Sequence, residues 1–594
     1  MKNSKKYILG LSDTHEAGAC LLSNGCVIAA ASEERFSRLK SDMGFPARSI
    51  DYCLNSAGIS GQQISKVAFA STKSPALHIR IKREACFSID DWVKEQNDYW
   101  LHRINGVNVS YHDIFSNNPK YIKDYSYNYE KVIGNDGSID FDAFNAQRRE
   151  KAASYLNIPL HDIELHLHEH CHGAYGYYGS VCREKALVFT CEGEGDYSNS
   201  TVSIYDNGNV DELYSTISNK IAHLYRYITL ILGMKPNQHE YKVMGLAPYA
   251  SDYEINKVLP ILEELLAVVD GSIVQPTPLN DCYFTLIKKF QGKRFDGIAG
   301  ALQRFLEKIL SEWINFYVTL TGIGSIIVSG GVAQNIKAMK AIREIPGVRH
   351  VYVNPASGDG SLSIGASYLS WVTNFNECPE PLGTAYLGPD IHNIHVESAL
   401  SENGLLDDSK YTIIWNVTCE YLANILAANC ILGRAVGRME FGQRALGNRS
   451  IICNPKEFSN LKRINDKIKG RDFWMPFTPT ILDTYACKYL LNPIESKYMT
   501  MAFDSTDLAR EHLKAAIHPA DFTVRAQILK SCDNRAYYDL IDSFAKLTGV
   551  GALLNTSFNL HGDPIVCTPN DAIYTFINSE LDGMILGDHL ILRN

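Results

Sequence analysis

The chain has 594 residues, 45% of them hydrophobic and 21% charged, and a formal net charge of −9. That length exceeds what one core supports and predicts two to four domains, and surplus acid without a Lys/Arg block excludes a large nucleic-acid surface, which needs clustered cations. Nothing approaches the ~20 apolar residues of a membrane span. The start MKNSKKYILGLSD has too short an apolar run for a signal peptide, and 15 scattered cysteines without a CxxC pair fit reduced thiols. The expectation is a soluble, cytoplasmic protein with no nucleic-acid or membrane partner.

Residues 7–32 read as the strand YILGLS, the turn DTHEAG, the strand ACLL, an SNG turn and the strand CVIAAAS. Residues 186–216 repeat the plan as ALVFTC, EGEGDYSNS, TVSIY, a DNG turn and a strand through VDELYSTI. Each copy is predicted to be a three-stranded antiparallel meander closed by tight hairpins. Both first turns combine glycine with acid or histidine, the composition of a phosphate-approaching loop. Two such copies predict two similar lobes, about 1–180 and 181–380, facing a cleft as in actin-like, sugar-kinase-like folds. His15 lies in the first turn, where an imidazole near neutral pKa suits proton transfer from a hydroxyl, although most turn histidines are merely solvated.

The segment LHLHEHCH is the densest ligand cluster. On a helix, His168 and His172 stand at i and i+4 on one face, within reach of one divalent ion. On a strand, His166, His168, His170 and His172 would share a face instead, and spacing does not choose between the two. Further ligands are sought among carboxylates on glycine loops: Glu192, Glu194 and Asp196 in CEGEGD, and Asp359 in SGDGS. Two histidines with one or two carboxylates suit iron(II), manganese or zinc. HEYKVMGLAPY places Glu240 and Lys242 either on a surface face or against a nucleotide.

Leu302, Phe305, Leu306, Ile309, Leu310, Trp313, Ile314 and Tyr317 recur at helical spacing. SIIVS then reads as a buried strand running into Gly330-Gly331, VAQNIKAMKAIRE as a helix that includes Asn335, HVYVN as a strand, and SLSIGASYLSWV as a helix after SGDGS. Strand–glycine–helix repetition indicates a parallel α/β layer with ligand at its loops. The proline- and glycine-rich segment 377–390 reads as an inter-domain linker, with a separate α/β domain over 390–594. That domain holds the strongest cationic constellation, GRMEFGQRALGNRS and NDKIKGRDFW, with Arg438, Arg444, Arg449, Lys469 and Arg471 among glycines. Arginine forks grip phosphate or carboxylate bidentately, and lysine adds a point charge. Arg525 follows in DFTVRAQ, and LLNTSFN offers Asn555, Ser557 and Asn559 after an apolar strand. No GxxxxGK[ST] occurs, which excludes a P-loop.

ILGLSDTHEAGACLL, EERFSRLKSDMGFP, EYKVMGLAPY, SGGVAQN, SGDGSLSIGAS, RMEFGQRALGNRSI and LLNTSFNLHGDPIV together resemble the O-carbamoyltransferase family that includes nodulation protein U and the tobramycin carbamoyltransferase. The resemblance covers essentially the whole chain. It implies an α/β architecture: an actin-like (ASKHA) Kae1-like carbamoyl-transfer domain over 1–380, with duplicated lobes, then a YrdC-like domain over 390–594 that forms carbamoyl-adenylate from carbamoyl phosphate and ATP, with magnesium accompanying the ATP. It implies that Arg444, Arg449, Lys469, Arg471, Arg525, Ser557 and Asn559 bind carbamoyl phosphate and ATP, Lys469 and Arg525 also acting in catalysis. His168, His172, Asp359 and Glu192 would hold a metal, iron(II) first, and His15 would serve the transfer. Glu240, Lys242, Gly330, Gly331 and Asn335 would face nucleotide in the Kae1-like domain.

Three departures stand out: Glu192 where the family has aspartate, Glu16 after His15 where it has aspartate, and Met475 where an arginine is usual. The expected acceptor is a small-molecule hydroxyl. The acids and aromatics of the insertion at 81–115 motivate a cationic one, such as a guanidinium alkaloid of the saxitoxin type or an aminoglycoside. Two other classes are an RNA-modifying threonylcarbamoyl transferase, which the charge disfavours, and a non-catalytic nucleotide-gated assembly protein, which leaves the arginines and the HxxxH unexplained. A homodimer is a further expectation.

Overall fold

Strand β1 (Tyr7–Ser12) is buried along its whole length, which is why it reads as an unbroken apolar run rather than an alternation. In the computed structural model, which describes residues 5–594, β1 pairs antiparallel with β2 (Gly18–Ser23), and β2 with β3 (Cys26–Ser32). Asn24 and Gly25, both at positive φ, close the second hairpin. On its other side β1 pairs in parallel with β4 (Lys66–Ala70), and β4 with β5 (Ile163–His166). The sheet order is therefore β3-β2-β1-β4-β5.

The second meander builds the same sheet again. β6 (Ala186–Cys191), β7 (Ser200–Asp206) and β8 (Asn209–Thr216) are antiparallel, while β9 (Ser325–Ser329) and β10 (His350–Tyr352) extend the other edge of β6 in parallel. The first strand of each sheet is central and carries its meander on one side and its parallel strands on the other. This duplicated connectivity is the actin-like plan expected from the repeat.

The helix Leu362–Phe375 lies on β1, β2 and β4 and also against the helix His168–Gly179. Its approach is too close for side chains: a Cβ on Gly10 would stand 1.8 Å from the Ser363 carbonyl oxygen, and one on Gly365 2.0 Å from that of Cys171. The predicted amphipathic helix forms over Phe295–Thr321 with all eight apolar positions buried. The run after Gly331 divides at Asn335, because the Asn335 side chain accepts from the Ala338 N–H at 3.0 Å and caps a new helix, Ile336–Arg343.

The chain forms two compact units, meeting between Gly383 and Thr384. The second, Thr384–Asn594, is built on a mixed eight-stranded sheet. Its middle strands are Gly583–Leu586, Leu432–Ala435, Arg449–Cys453 and Ala552–Ser557, with Thr478–Leu482 beyond them, over a core that includes Ile451, Leu554, Phe558, Ile573 and Phe576. Among the described residues no helix is long and apolar enough to cross a membrane.

One buried ion pair fixes the strand ends of the first sheet. Asp13, just past β1, receives Arg148 Nη2 at 2.8 Å and Nε at 2.9 Å, with both side chains fully buried. Arg148 also donates to the carbonyls of Ala70 and Ser71 at the end of β4, and Asp13 accepts from Ser74 and Tyr127. Removing one partner strands the other charge, so Arg148→Leu is expected to destabilise the first unit by about 3–5 kcal/mol. Urea unfolding of the variant checks this, and a loss below about 1 kcal/mol contradicts it.

Candidate metal and anion sites

The LHLHEHCH segment divides into a strand ending at His166 and a helix beginning at His168, so the helical reading of His168 and His172 holds. Asp196 sets the start of that helix. Its Oδ2 accepts the His168 N–H at 3.0 Å and the Thr72 N–H at 2.6 Å, and its Oδ1 accepts Ser71 Oγ at 2.7 Å. Glu169 answers by accepting the Asp196 N–H at 3.0 Å. Asp196 is thus a holder of the helix and of the 71–73 turn, while Glu194 is exposed beside His223. His166 pairs with Glu164, and His170 is exposed.

Four ligand atoms converge. His168 Nε2 and His172 Nε2 are 3.1 Å apart, Glu192 Oε1 is 2.8 Å from His172 Nε2, and Asp359 Oδ1 is 3.6 Å from each imidazole. All four lie within 4.8 Å of one another. Burial opposes a charged imidazole at His172, but Glu192 and Asp359 overcome it and hold the group up at about 10. Asp359 is held at about 2 against its own burial by His168, His172 and His15.

Glycine brings Glu192 there. Gly330 has φ +98, and a Cβ on it would stand 2.5 Å from the Cys191 carbonyl oxygen, so only glycine permits the approach. The Gly331 N–H donates to Glu192 Oε1 at 2.6 Å and the Gly330 N–H to the Ser357 carbonyl at 2.8 Å. The Gly331 N–H thus steadies a carboxylate of the metal-type cluster, and the Gly330 N–H is taken by a neighbouring carbonyl. Asn335 is engaged likewise, by its cap and by Gln303 at 2.9 and 3.0 Å. Glu240, whose carboxyl is raised to about 7 by burial, accepts the Asn237 N–H at 2.7 Å, and Lys242 is buried.

His15 sits beside the cluster. A Cβ on Gly360 would stand 2.8 Å from Glu16 Oε2, so the DTHE and GDGS turns touch. The His15 side chain is 24% exposed, with Nδ1 4.0 Å from Glu84 Oε2. Burial lowers its pKa, yet Glu84, Glu16 and Asp359 raise it above the usual value.

In the second unit Lys469 ends a π-helical turn, Asn465–Lys469, an irregularity frequent at functional sites. Its Nζ donates to Ser557 Oγ at 3.2 Å, Asn559 Oδ1 at 2.6 Å and the Asn559 carbonyl at 3.0 Å, uniting three predicted residues. Asn555 Nδ2 donates to the Ala445 carbonyl and Gln527 Nε2 to that of Leu446, tying the arginine loop to the strand of Ser557 and the segment of Arg525. Arg444, Arg471 and Arg525 are half-buried.

Arg449 is different. It is fully buried and gives its N–H groups to the carbonyls of Val436, Gly437, Asn448, Cys567 and Pro389, which makes it a loop brace and not an anion fork. Arg438 donates to Leu387 and Gly388 carbonyls in the same way. Glu440, not singled out from the sequence, organises this loop: its Oε1 accepts the N–H groups of Leu446, Asn448 and Arg449 at 2.8, 2.7 and 3.2 Å. An acid among arginines was the available signal. Met475 is buried, so its place is a core position.

The 81–115 insertion, which motivated a cationic acceptor, folds mainly on itself. Phe87, Trp92, Tyr99, Tyr111 and Phe115 pack on one another and on Leu230 and Tyr283 as a small core. Four of its six acids have basic partners: Glu84 and Glu95 share Arg83, Asp91 takes Lys120 and Ser88, and Asp98 takes Lys94. Much of the acid and aromatic content that motivated a cationic acceptor is thus engaged within the first unit, while Glu84 keeps one carboxylate oxygen without a hydrogen-bond partner.

Solved structures similar to the chain include component A of the (R)-2-hydroxyglutaryl-CoA dehydratase of Acidaminococcus fermentans, at 13% identity over 61% of this chain and 96% of that one, TM-score 0.29. Full-length HypF is similar over 41% and 43%, at 14% identity and TM-score 0.23. Among sequences, an uncharacterized protein of Methanocaldococcus jannaschii is 30% identical over 99% of both chains. Nodulation protein NolNO of Sinorhizobium fredii is 28% identical over 98% of this chain and 79% of its own. The 3'-hydroxymethylcephem-O-carbamoyltransferase of Streptomyces clavuligerus is 25% identical over 44% and 47%. Residues 7–368 match the model of the carbamoyltransferase N-terminus and residues 423–593 that of the carbamoyltransferase C-terminus, so the chain belongs to the carbamoyltransferase family.

Proposed function

We propose that this carbamoyltransferase works in two steps. Residues of the second unit convert carbamoyl phosphate and ATP to carbamoyl-adenylate, with phosphate and pyrophosphate leaving and one water consumed. Residues of the first unit pass the carbamoyl group to a hydroxyl of a small molecule. The observation that carries this reading is the meeting of two imidazoles and two carboxylates beside His15. The hydroxymethylcephem O-carbamoyltransferase named above supports a hydroxyl as acceptor.

The donor set fits a divalent metal, because two imidazole nitrogens and two carboxylate oxygens within 4.8 Å of one another offer four ligand atoms once His172 gives up its proton, and two His with two carboxylates suit iron(II), manganese or zinc. His168, His172, Glu192 and Asp359 would hold it, and the ion when bound supplies Lewis-acid polarisation of a carbonyl or phosphoryl oxygen. His15, partly exposed and anchored at the turn, takes the proton of the acceptor hydroxyl. In the second unit Arg444, Arg471 and Arg525 are assigned to the phosphates, and Lys469, held by Ser557 and Asn559, to the charge that develops as they exchange. Glu240 and Lys242 remain assigned to the nucleotide of the intermediate.

Separate half-reactions test this. Lys469→Ala is expected to lower carbamoyl-adenylate formation by at least about 100-fold and to leave consumption of supplied carbamoyl-adenylate near wild type, with His15→Asn doing the reverse. Equal loss of both half-reactions in each variant contradicts the assignment. Equilibrium dialysis with manganese checks the metal independently of activity: wild type binds about one ion per chain, and Asp359→Asn weakens binding by at least tenfold. Unchanged affinity in that variant overturns the ligand set.

A further inference from the structure

We propose that Glu84 positions His15 for proton transfer, an inference that rests on the transfer reaction proposed above. Glu84 lies in the short helix Arg83–Cys86, and its side chain is only 1% exposed. One carboxylate oxygen is fully engaged: Oε1 accepts from Arg83 Nη2 at 2.8 Å, Arg83 Nε at 3.2 Å and Asn237 Nδ2 at 3.1 Å. The backbone is held as well, since the Glu84 carbonyl accepts from Lys235 Nζ at 3.0 Å and Gln238 Nε2 at 2.9 Å. The residue is thus clamped by its own neighbour and by the 235–238 segment of the other lobe.

The second oxygen, Oε2, is buried and has no hydrogen-bond partner. Nor has His15 Nδ1, buried 4.0 Å away from it. The gap is about an ångström longer than a hydrogen bond, and catalytic hydrogen bonds commonly tighten to their working length only when substrate binds. Arg83 does not cancel the charge on this oxygen, because it also serves Glu95 through Nη1 at 3.2 Å. A carboxylate facing Nδ1 keeps the proton on that nitrogen and leaves Nε2 as the basic one.

The step then balances. The acceptor O–H bond breaks, its proton moves to His15 Nε2, and its oxygen bonds to the carbamoyl carbon. The bond from that carbon to the adenylate phosphate oxygen breaks, and AMP leaves with the electron pair. Glu84 accepts no proton: it holds Nδ1–H in place and faces the imidazolium that forms.

Glu84→Gln is the discriminating variant. Arg83 and Asn237 require an oxygen at the Oε1 position, so the amide NH₂ is turned towards His15 and donates to Nδ1. The ring proton is then forced onto Nε2, and the base is lost; an equivalent amide replacement in a serine protease triad costs ~10⁴ in kcat for this reason. Full-length enzyme is given carbamoyl-AMP, and its consumption is followed with water and with glycerol as hydroxyl probes. The expected result is a kcat at least about 100-fold lower, with KM for carbamoyl-AMP and its formation from ATP and carbamoyl phosphate within about twofold of wild type. Glu84→Ala, which offers no misplaced donor, should lose less than Glu84→Gln, whereas a packing role gives the opposite order. A Glu84→Gln enzyme within about threefold of wild type, or one that loses kcat, KM and adenylate formation together, overturns the inference. A wild-type enzyme that consumes carbamoyl-AMP no faster than buffer overturns the transfer reaction itself.

Discussion

The first unit is arranged around one requirement: two imidazoles and two carboxylates must be kept within 4.8 Å of one another. Left to themselves such groups separate, since carboxylates repel and each prefers its own water. Here they are delivered by three rigid segments that cannot move independently. The His168–Gly179 helix is pinned at its start by Asp196 and pressed along its side by the helix that follows Asp359. Glu192 leaves the end of β6, and the close approach of Gly330 after β9 lets the Gly331 N–H hold its carboxylate. Duplication of the sheet is what places these strand ends where ligands bind in parallel α/β layers.

A different constraint governs the second unit. The polyanion binding proposed for it needs arginine and lysine, but too many mobile cations would repel one another. The solution is division of labour within one arginine-rich loop. Arg438 and Arg449 turn inward onto carbonyls, Glu440 gathers three N–H groups, and the half-buried Arg444 is carried on the frame they make. Lys469 is immobilised by Ser557 and Asn559, so its charge is aimed before any ligand arrives.

Much of this was legible in the sequence, and the reasons for the rest are physical. The meanders, the i and i+4 histidines and the glycine-flanked acids are local patterns, and local patterns survive folding. Arg444 and Arg449 look alike as letters, but Arg449 begins a central strand and is swallowed by the sheet, whereas Arg444 stays in the loop. Among the acids of the 81–115 insertion, the pairings Arg83–Glu84 and Lys94–Asp98 are local, whereas those of Asp91 with Lys120 and of Glu95 with Arg83 are set only by tertiary packing. Gly330 and Gly331 stood out as a glycine pair after a strand, but their approach to the Glu192 carboxylate is a fact of the fold that no local pattern announces. Glu84 carries no motif at all. Its interest comes from one unpartnered oxygen facing one unpartnered nitrogen, a fact of geometry alone.

The most direct measurement mixes the full-length enzyme with ATP, carbamoyl phosphate and a divalent metal, without any hydroxyl acceptor, and assays pyrophosphate and carbamoyl-AMP. Activation before transfer predicts pyrophosphate release together with carbamoyl-AMP that accumulates on or near the enzyme. Absence of both products, with metal supplied, would contradict the two-step chemistry at its root.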